Sequence, residues 1–287
     1  MTLVVARKVD DALVIVSDTK VTNETVLRPS LLDGTLKTIT ISKSLCISFA
    51  GDVTVAHNAL ADIIVGSVCG RDNVITHLLQ HQHQRAGACD FLIACHEQPV
   101  TLDKIIDGRC ERDLQVAWIG DHPAFEAYQS YWANDPFAET AAYSTMDEMS
   151  IGSRMRAALD AVISDGNHPT VGNFVITARS GTLANSGFRY NPHAFGSGFH
   201  PVVNTTEPTS LLRSVGVEGG SFRYTILVPT ERGIGAIAVH IFEPKLGILL
   251  CPKISWQPII LRDTTTADFI NFVAEKFNLT VDGIRYS

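Results

Sequence analysis

Thr2, directly after Met1, is the first residue of this chain whose type and place could do chemistry. A threonine there is small enough for the initiator methionine normally to be trimmed, leaving a free α-amine beside a β-hydroxyl. The hydroxyl is a nucleophile, and the amine, with an ordinary pKa of about 7.7–8.0, is close enough to neutrality to accept its proton. Such a unit needs no histidine. Downstream come Ser17-Asp18-Thr19-Lys20-Val21-Thr22, then Lys37, then an apolar run ending in Phe49-Ala50-Gly51-Asp52. Taken singly these residues are ordinary: Asp18 reads as a turn former, Lys37 as a solvated cation and Gly51 as a residue before a helix.

Periodicity supplies the elements that must position them. Residues 2–9 and 12–18 predict a hairpin about Asp10-Asp11, and residues 37–41 and 45–50 a second. Ala56, Ala59, Leu60, Ile63 and Ile64 share one face of a helix over 52–68, and another is expected over 73–85. Strand character returns at 91–95, 101–106 and 114–119; helices follow near 123–132 and 146–164, then a strand over 173–178. Beyond a Gly/Asn/Pro-rich stretch at 181–208, strands are expected at 224–229, 234–242, 246–251 and 254–260, and a last helix over 264–277.

In order and spacing, Thr2, Asp18-Thr19-Lys20-Val21-Thr22, Lys37 and Gly51 resemble the N-terminal-nucleophile hydrolases, and within them the proteasome β-subunit family. The resemblance covers roughly residues 2–180. It implies an α+β fold, a four-layer αββα sandwich of two antiparallel sheets between helical layers over residues 1–180. Residues 181–287 would form a β-rich C-terminal extension packed on that core. It also implies roles. Thr2 Oγ would attack a carbonyl carbon and the Thr2 amine would take the proton. Lys37, as an ammonium held by Asp18, would depress the amine's pKa, and the Gly51 N–H would donate to the oxyanion. The backbone of Lys20, Val21 and Thr22 would pair with an extended substrate, and Val21, Phe49 and Val53 would line a shallow apolar pocket.

Two departures from that pattern stand out. Gly120-Asp121-His122 stands where the family has a Gly-Ser-Gly turn, so that Asp121 could accept from the Thr2 ammonium while raising that amine's pKa. Asp165, closing the fourth helix, is followed by a longer loop, Gly166-Asn167-His168-Pro169-Thr170-Val171-Gly172, with Asp165 and Thr170 as supports of the site. A later Gly196-Ser197-Gly198 reads as a loop.

The expected activity is threonine-type hydrolysis of peptide or amide bonds through an acyl-Thr2 ester once Met1 is removed, without cofactor or metal. The alternatives are a small-molecule amidase or acylase on the same fold and a catalytically silent, proteasome-like structural subunit. By resemblance the chain would assemble into a homo-oligomeric ring, which leaves room for an ATP-dependent unfoldase as partner. With 287 residues, 45% hydrophobic, the chain can bury a substantial core. A net charge of −7 argues against nucleic acid, and no apolar run is long enough to span a bilayer. Six cysteines without a CxxC spacing read as reduced thiols of a cytoplasmic protein. His77, His81 and His83 read as a solvated helical face rather than a metal site.

Overall fold

The computed structural model describes residues 2–21, 34–85, 87–134, 148–181, 187–197 and 222–284. It is a mixed α+β structure with five helices and three antiparallel sheets among the described residues. The chain divides into two compact units, one formed by Met1–Val21, Lys37–Arg189 and Arg232–Gly235, the other by Thr22–Leu36, Tyr190–Glu231 and Ala236–Ser287.

In the first unit, β1 (Leu3–Val9) and β2 (Ala12–Ser17) form the predicted hairpin, with Val4 opposite Ser17 and Val9 opposite Ala12. The turn places Asp10 at φ 49°, a left-handed conformation that Asp tolerates better than β-branched residues. Both strands are nearly continuous apolar runs because both of their faces are buried. Leu3, Val5, Val14 and Val16 pack against α3 (His122–Ala133) and α4 (Glu148–Asp165) through Phe125, Tyr128, Met155, Leu159 and Val162. The sheet is completed by β8 (Val116–Gly120), beside β1, and β9 (Ile176–Arg179), beside β2, with the two-residue β10 (Arg189–Tyr190) at its edge.

The second sheet of this unit runs in sequence order from β3 (Thr38–Thr40) and β4 (Leu45–Gly51) to β5 (Cys89–Cys95), β6 (Thr101–Ile106) and β7 (Arg109–Glu111). Helices α1 (Val53–Ile64) and α2 (Arg71–Gln84) pack on it, and strands β4, β5 and β6 approach β1 and β8 of the first sheet. Two strand-to-helix junctions share one design. Gly51 at φ 119° and Gly120 at φ 106° end their strands; Asp52 and Asp121 then cap α1 and α3, accepting from Thr54 and Val55 N–H in one case and Ala124 N–H in the other. In both, the glycine provides a backbone angle that other residues resist.

The expectation of two sheets in a four-layer sandwich is corrected by the third sheet. Strands β11 (His193–Ser197), β12 (Phe222–Pro229), β13 (Ile237–Ile241), β14 (Leu246–Cys251) and β15 (Ser255–Leu261) pair in sequence order, and β16 (Val281–Asp282) pairs with β12. The reason is local: from β12 to β15, successive apolar strands joined by short connections pair with one another, so they form a sheet of their own. Gly196-Ser197, read as a loop, belongs to β11; Gly198 lies outside the described residues. Helix α5 (Thr266–Phe277), capped by the Thr265 hydroxyl accepting from Asp268 N–H, covers β14. A Cβ on Gly247 would lie 2.4 Å from the Phe269 ring, so a glycine is what lets helix and strand approach. Among the described residues no helix is long and apolar enough to cross a membrane.

Phe269 is fully buried against this glycine. Phe269→Ala should destabilise the second unit by about 3–5 kcal/mol through lost burial and the cavity left behind. Denaturant unfolding followed by far-UV circular dichroism measures it; a loss well under 1 kcal/mol would remove Phe269 from the core.

Candidate active site

The site assembles at the start of β1. Thr2 is 2% exposed, Asp18 0% and Lys37 2%. Asp18 follows the end of β2, and Lys37 precedes β3, its carbonyl accepting from Phe49 N–H of β4 at 3.0 Å. The hairpin thus carries Thr2 and Asp18 on antiparallel neighbours, while the second sheet delivers Lys37.

Asp18 accepts from five donors. Its Oδ1 accepts from the Thr2 hydroxyl and, at 3.1 Å, from Leu3 N–H. Its Oδ2 accepts from Lys37 Nζ at 3.0 Å, Lys20 N–H at 3.1 Å and Gly172 N–H at 3.2 Å. Lys37 Nζ also donates to the Lys20 carbonyl and lies 2.5 Å from Thr2 Oγ.

This geometry directs the lysine lone pair. Of its three neighbours, the Asp18 carboxylate and the Lys20 carbonyl can only accept, whereas the Thr2 hydroxyl can also donate. With three N–H groups Lys37 serves Asp18, Lys20 and Thr2 Oγ while the Thr2 hydroxyl serves Asp18; an uncharged Lys37 would keep the first two bonds and turn its lone pair to Thr2 Oγ, whose hydrogen would then swing from Asp18 to the amine. Burial pushes the Lys37 amine down from its ordinary value, Asp18 pushes it back up, and the nearby Lys20 charge lowers it further. Desolvation is the largest of these causes, so the amine gives up its proton more readily than an exposed lysine, while Asp18 opposes that loss. Lys20 is also pushed down by burial and up by Asp18.

The remaining expected residues are placed as follows. Gly51 ends β4 next to Asp52, whose N–H donates to the Ala88 carbonyl at 2.7 Å. A Cβ built on Gly120 would lie 1.9 Å from the Thr2 carbonyl oxygen and 3.4 Å from Ala50 Cβ, so the residue before Gly51 borders the start of β1. Asp121 is beside Thr2 through its backbone, its N–H donating to the Thr2 carbonyl at 2.7 Å. Its side chain takes Ala124 N–H at 2.9 Å on Oδ1 and the Thr170 hydroxyl on Oδ2. The reason is local: an Asp before a helix satisfies the helix's free N–H groups.

Asp165 has other partners. It accepts from the Tyr131 hydroxyl at 3.2 Å and from Asn167 N–H at 2.8 Å, at the root of the loop that carries Thr170 and Gly172 inward. Lys20 uses its backbone within the site, its N–H shared between Asp18 and the Gly172 carbonyl at 3.2 Å. Val21 is half-buried, and Thr22 lies outside the described residues. Phe49 is 1% exposed, its ring centroid 6.1 Å from that of the His57 imidazole of α1 in a T-shaped arrangement, and Val53 is half-buried in the first turn of that helix. Phe49 is a core residue that reaches the site through its backbone bond to Lys37.

Gly172 went unrecognised as a site residue in the sequence. Its N–H reaches Asp18, and its carbonyl accepts from Thr19 and Lys20 N–H. Only the Gly172-Asn173 turn dipeptide hinted at it, with Asn173 at φ 64°. His77 and His81 stand with ring centroids 4.7 Å apart, but among the described residues no cluster of three or more metal-ligating side chains occurs. Comparison with protein-family models and with curated proteins returned no match for the chain.

Gly120→Ala tests the contact at Thr2. The backbone angle alone should cost about 1–3 kcal/mol, and the added Cβ must displace the Thr2 carbonyl. A denaturant midpoint equal to wild type would show that Gly120 is not needed there.

Proposed function

We propose that this chain is a threonine-type hydrolase that cleaves amide bonds through an acyl ester on Thr2. The observation that carries the reading is the buried Thr2 hydroxyl set between the Asp18 carboxylate and the Lys37 amine. A carboxylate, a lysine and a hydroxyl in mutual contact, all out of water, are an arrangement that stability alone disfavours, since each desolvated charge costs several kcal/mol before it is repaid. Perturbed amines of this kind cluster at reactive sites.

In the proposed reaction Thr2 Oγ attacks the amide carbon while its proton passes to the uncharged Lys37 amine. The carbonyl oxygen becomes an oxyanion, for which the backbone N–H of Gly51 is the candidate donor. Collapse breaks the C–N bond, and the departing amine takes the proton from Lys37. Water then attacks the ester, giving its proton to Lys37, which returns it to Thr2 Oγ as the C–O bond breaks, releasing the acid and the free hydroxyl. If Met1 is removed, the Thr2 α-amine is a second acceptor close to the same oxygen. The chemistry defines the bond and leaves the acyl group open, so peptides and small amides fall under one proposal.

The test needs no known substrate. A hydrophobic β-lactone acylates an activated hydroxyl as its ring C–O bond opens, and the adduct is located by tandem mass spectrometry. Wild type should be acylated at Thr2, and Thr2→Ala should not. Labelling elsewhere, or equal labelling of Thr2→Ala, would overturn the proposal.

Its pH dependence follows from Lys37. The reactive form is the uncharged amine, so the rate should rise with pH, with a midpoint below the ordinary lysine value of about 10.4 because burial disfavours the cation. Lys37→Met should lower acylation by roughly 100-fold or more. Lys37→Arg should do no better, because a guanidinium stays charged throughout this range. An unchanged pH–rate profile in Lys37→Met would exclude the lysine from the reaction.

A further inference from the structure

The loop between α4 and β9, residues 166–175, touches the site at more points than a connection requires. Gly172 N–H donates to Asp18 Oδ2, the oxygen that also holds Lys37. The Gly172 carbonyl accepts from Thr19 and Lys20 N–H, and Phe174 N–H donates to the Thr19 hydroxyl at 3.1 Å. Thr170, two residues earlier, donates to Asp121 Oδ2. At the root, Asp165 caps Asn167 N–H and accepts from Tyr131 of α3. A Cβ on Gly172 would lie 3.0 Å from Lys20 Cδ, so the loop backbone also lies against that lysine's stem.

We propose that this loop is a positioning clamp that sets the charge carried by Lys37, through the backbone hydrogen bond it lends to Asp18, with Thr170, Asp165 and Tyr131 as its fastenings.

The physical chain is short. The groups that bear on the Lys37 charge are Asp18 and Lys20, with the Thr2 hydroxyl in contact and Asp121 one step behind. Each N–H donated to Asp18 spreads its negative charge and weakens its hold on a lysine cation. Withdrawing Gly172 removes one of two backbone donors on Oδ2, which concentrates the Asp18 charge facing Lys37. That change favours the ammonium, as does any water admitted behind the loop. A secured loop keeps Lys37 able to accept a proton; a released loop leaves it protonated. The fastenings differ in depth, because Thr170 acts beside a buried carboxylate while the Tyr131–Asp165 bond lies at the surface.

This inference deepens the Thr2 reading and rests on it only for the use to which Lys37 is put. Its test reads the lysine directly. The full chain is labelled at lysine ε-carbons, Lys37 is assigned from the signal lost in Lys37→Met, and its NMR shift is followed against pH. Thr170→Val and Asp165→Ala should raise the Lys37 midpoint by about half a pH unit or more, roughly threefold more ammonium at a fixed pH. Thr170→Ser, which keeps the hydroxyl, should restore the wild-type midpoint. Tyr131→Phe, a surface change, should move it by less in the same direction and serves if Thr170→Val does not fold. Folded variants titrating with the wild-type midpoint would overturn the clamp, as would a downward shift. Failure of wild-type Thr2 to be acylated would sink the hydrolase reading and leave this result standing.

Discussion

The constraint on which the first unit depends is the burial of the Asp18 carboxylate with the Lys37 amine. A carboxylate withdrawn from water must be surrounded by donors, and those donors come from parts of the chain far apart in sequence: β1, the segment after β2, the segment before β3, and the α4–β9 loop. Convergence of these segments is therefore a condition of folding as well as of the site. Removing one partner of such a pair typically costs 3–5 kcal/mol, more than replacing both by apolar groups of similar shape. The arrangement is retained at an expense in stability, which is the physical argument for a chemical use.

The two strand-to-helix junctions show how one local design yields different outcomes. Gly51-Asp52 and Gly120-Asp121 share a positive φ at the glycine and a helix cap at the aspartate. The first junction turns its Asp N–H to Ala88, the second to the Thr2 carbonyl. What differs is the neighbouring strand, which is β5 beside β4 and β1 beside β8. Asp121 therefore holds Thr2 by its backbone while its carboxylate serves α3 and Thr170.

Protonation links these parts. With Lys37 charged, its third N–H points at Thr2 Oγ and the hydroxyl proton stays with Asp18; with Lys37 uncharged, the same contact reverses direction. Little movement of heavy atoms is needed, so the site can change state without reorganising its surroundings. Whatever alters the number of donors on Asp18 shifts the balance between the two states.

Much of this was legible in the sequence. The β1–β2 hairpin, α1 with its Asp52 cap and the amphipathic α5 follow from local periodicity and capping chemistry, which act within a few residues and so leave a signature there. Thr2, Asp18 and Lys37 were legible as an ordered set of chemical types, and tertiary structure brings these three together. Only that structure decided which bonds they make and how far they are withdrawn from water. The Lys37 amine is pushed below its ordinary pKa because folding removes water from around it, and burial is a property of the packed chain. Asp165 accepts from Tyr131 and Asn167 at the root of the α4–β9 loop, partners that no spacing rule announces. Gly172 left almost no trace because its contribution is a backbone N–H, which every residue but proline carries. Four strands of the third sheet were expected one by one, but not their pairing: a strand's sequence records which of its faces are buried, whereas which strand lies beside it is settled by the competition among all the edges the folded chain presents.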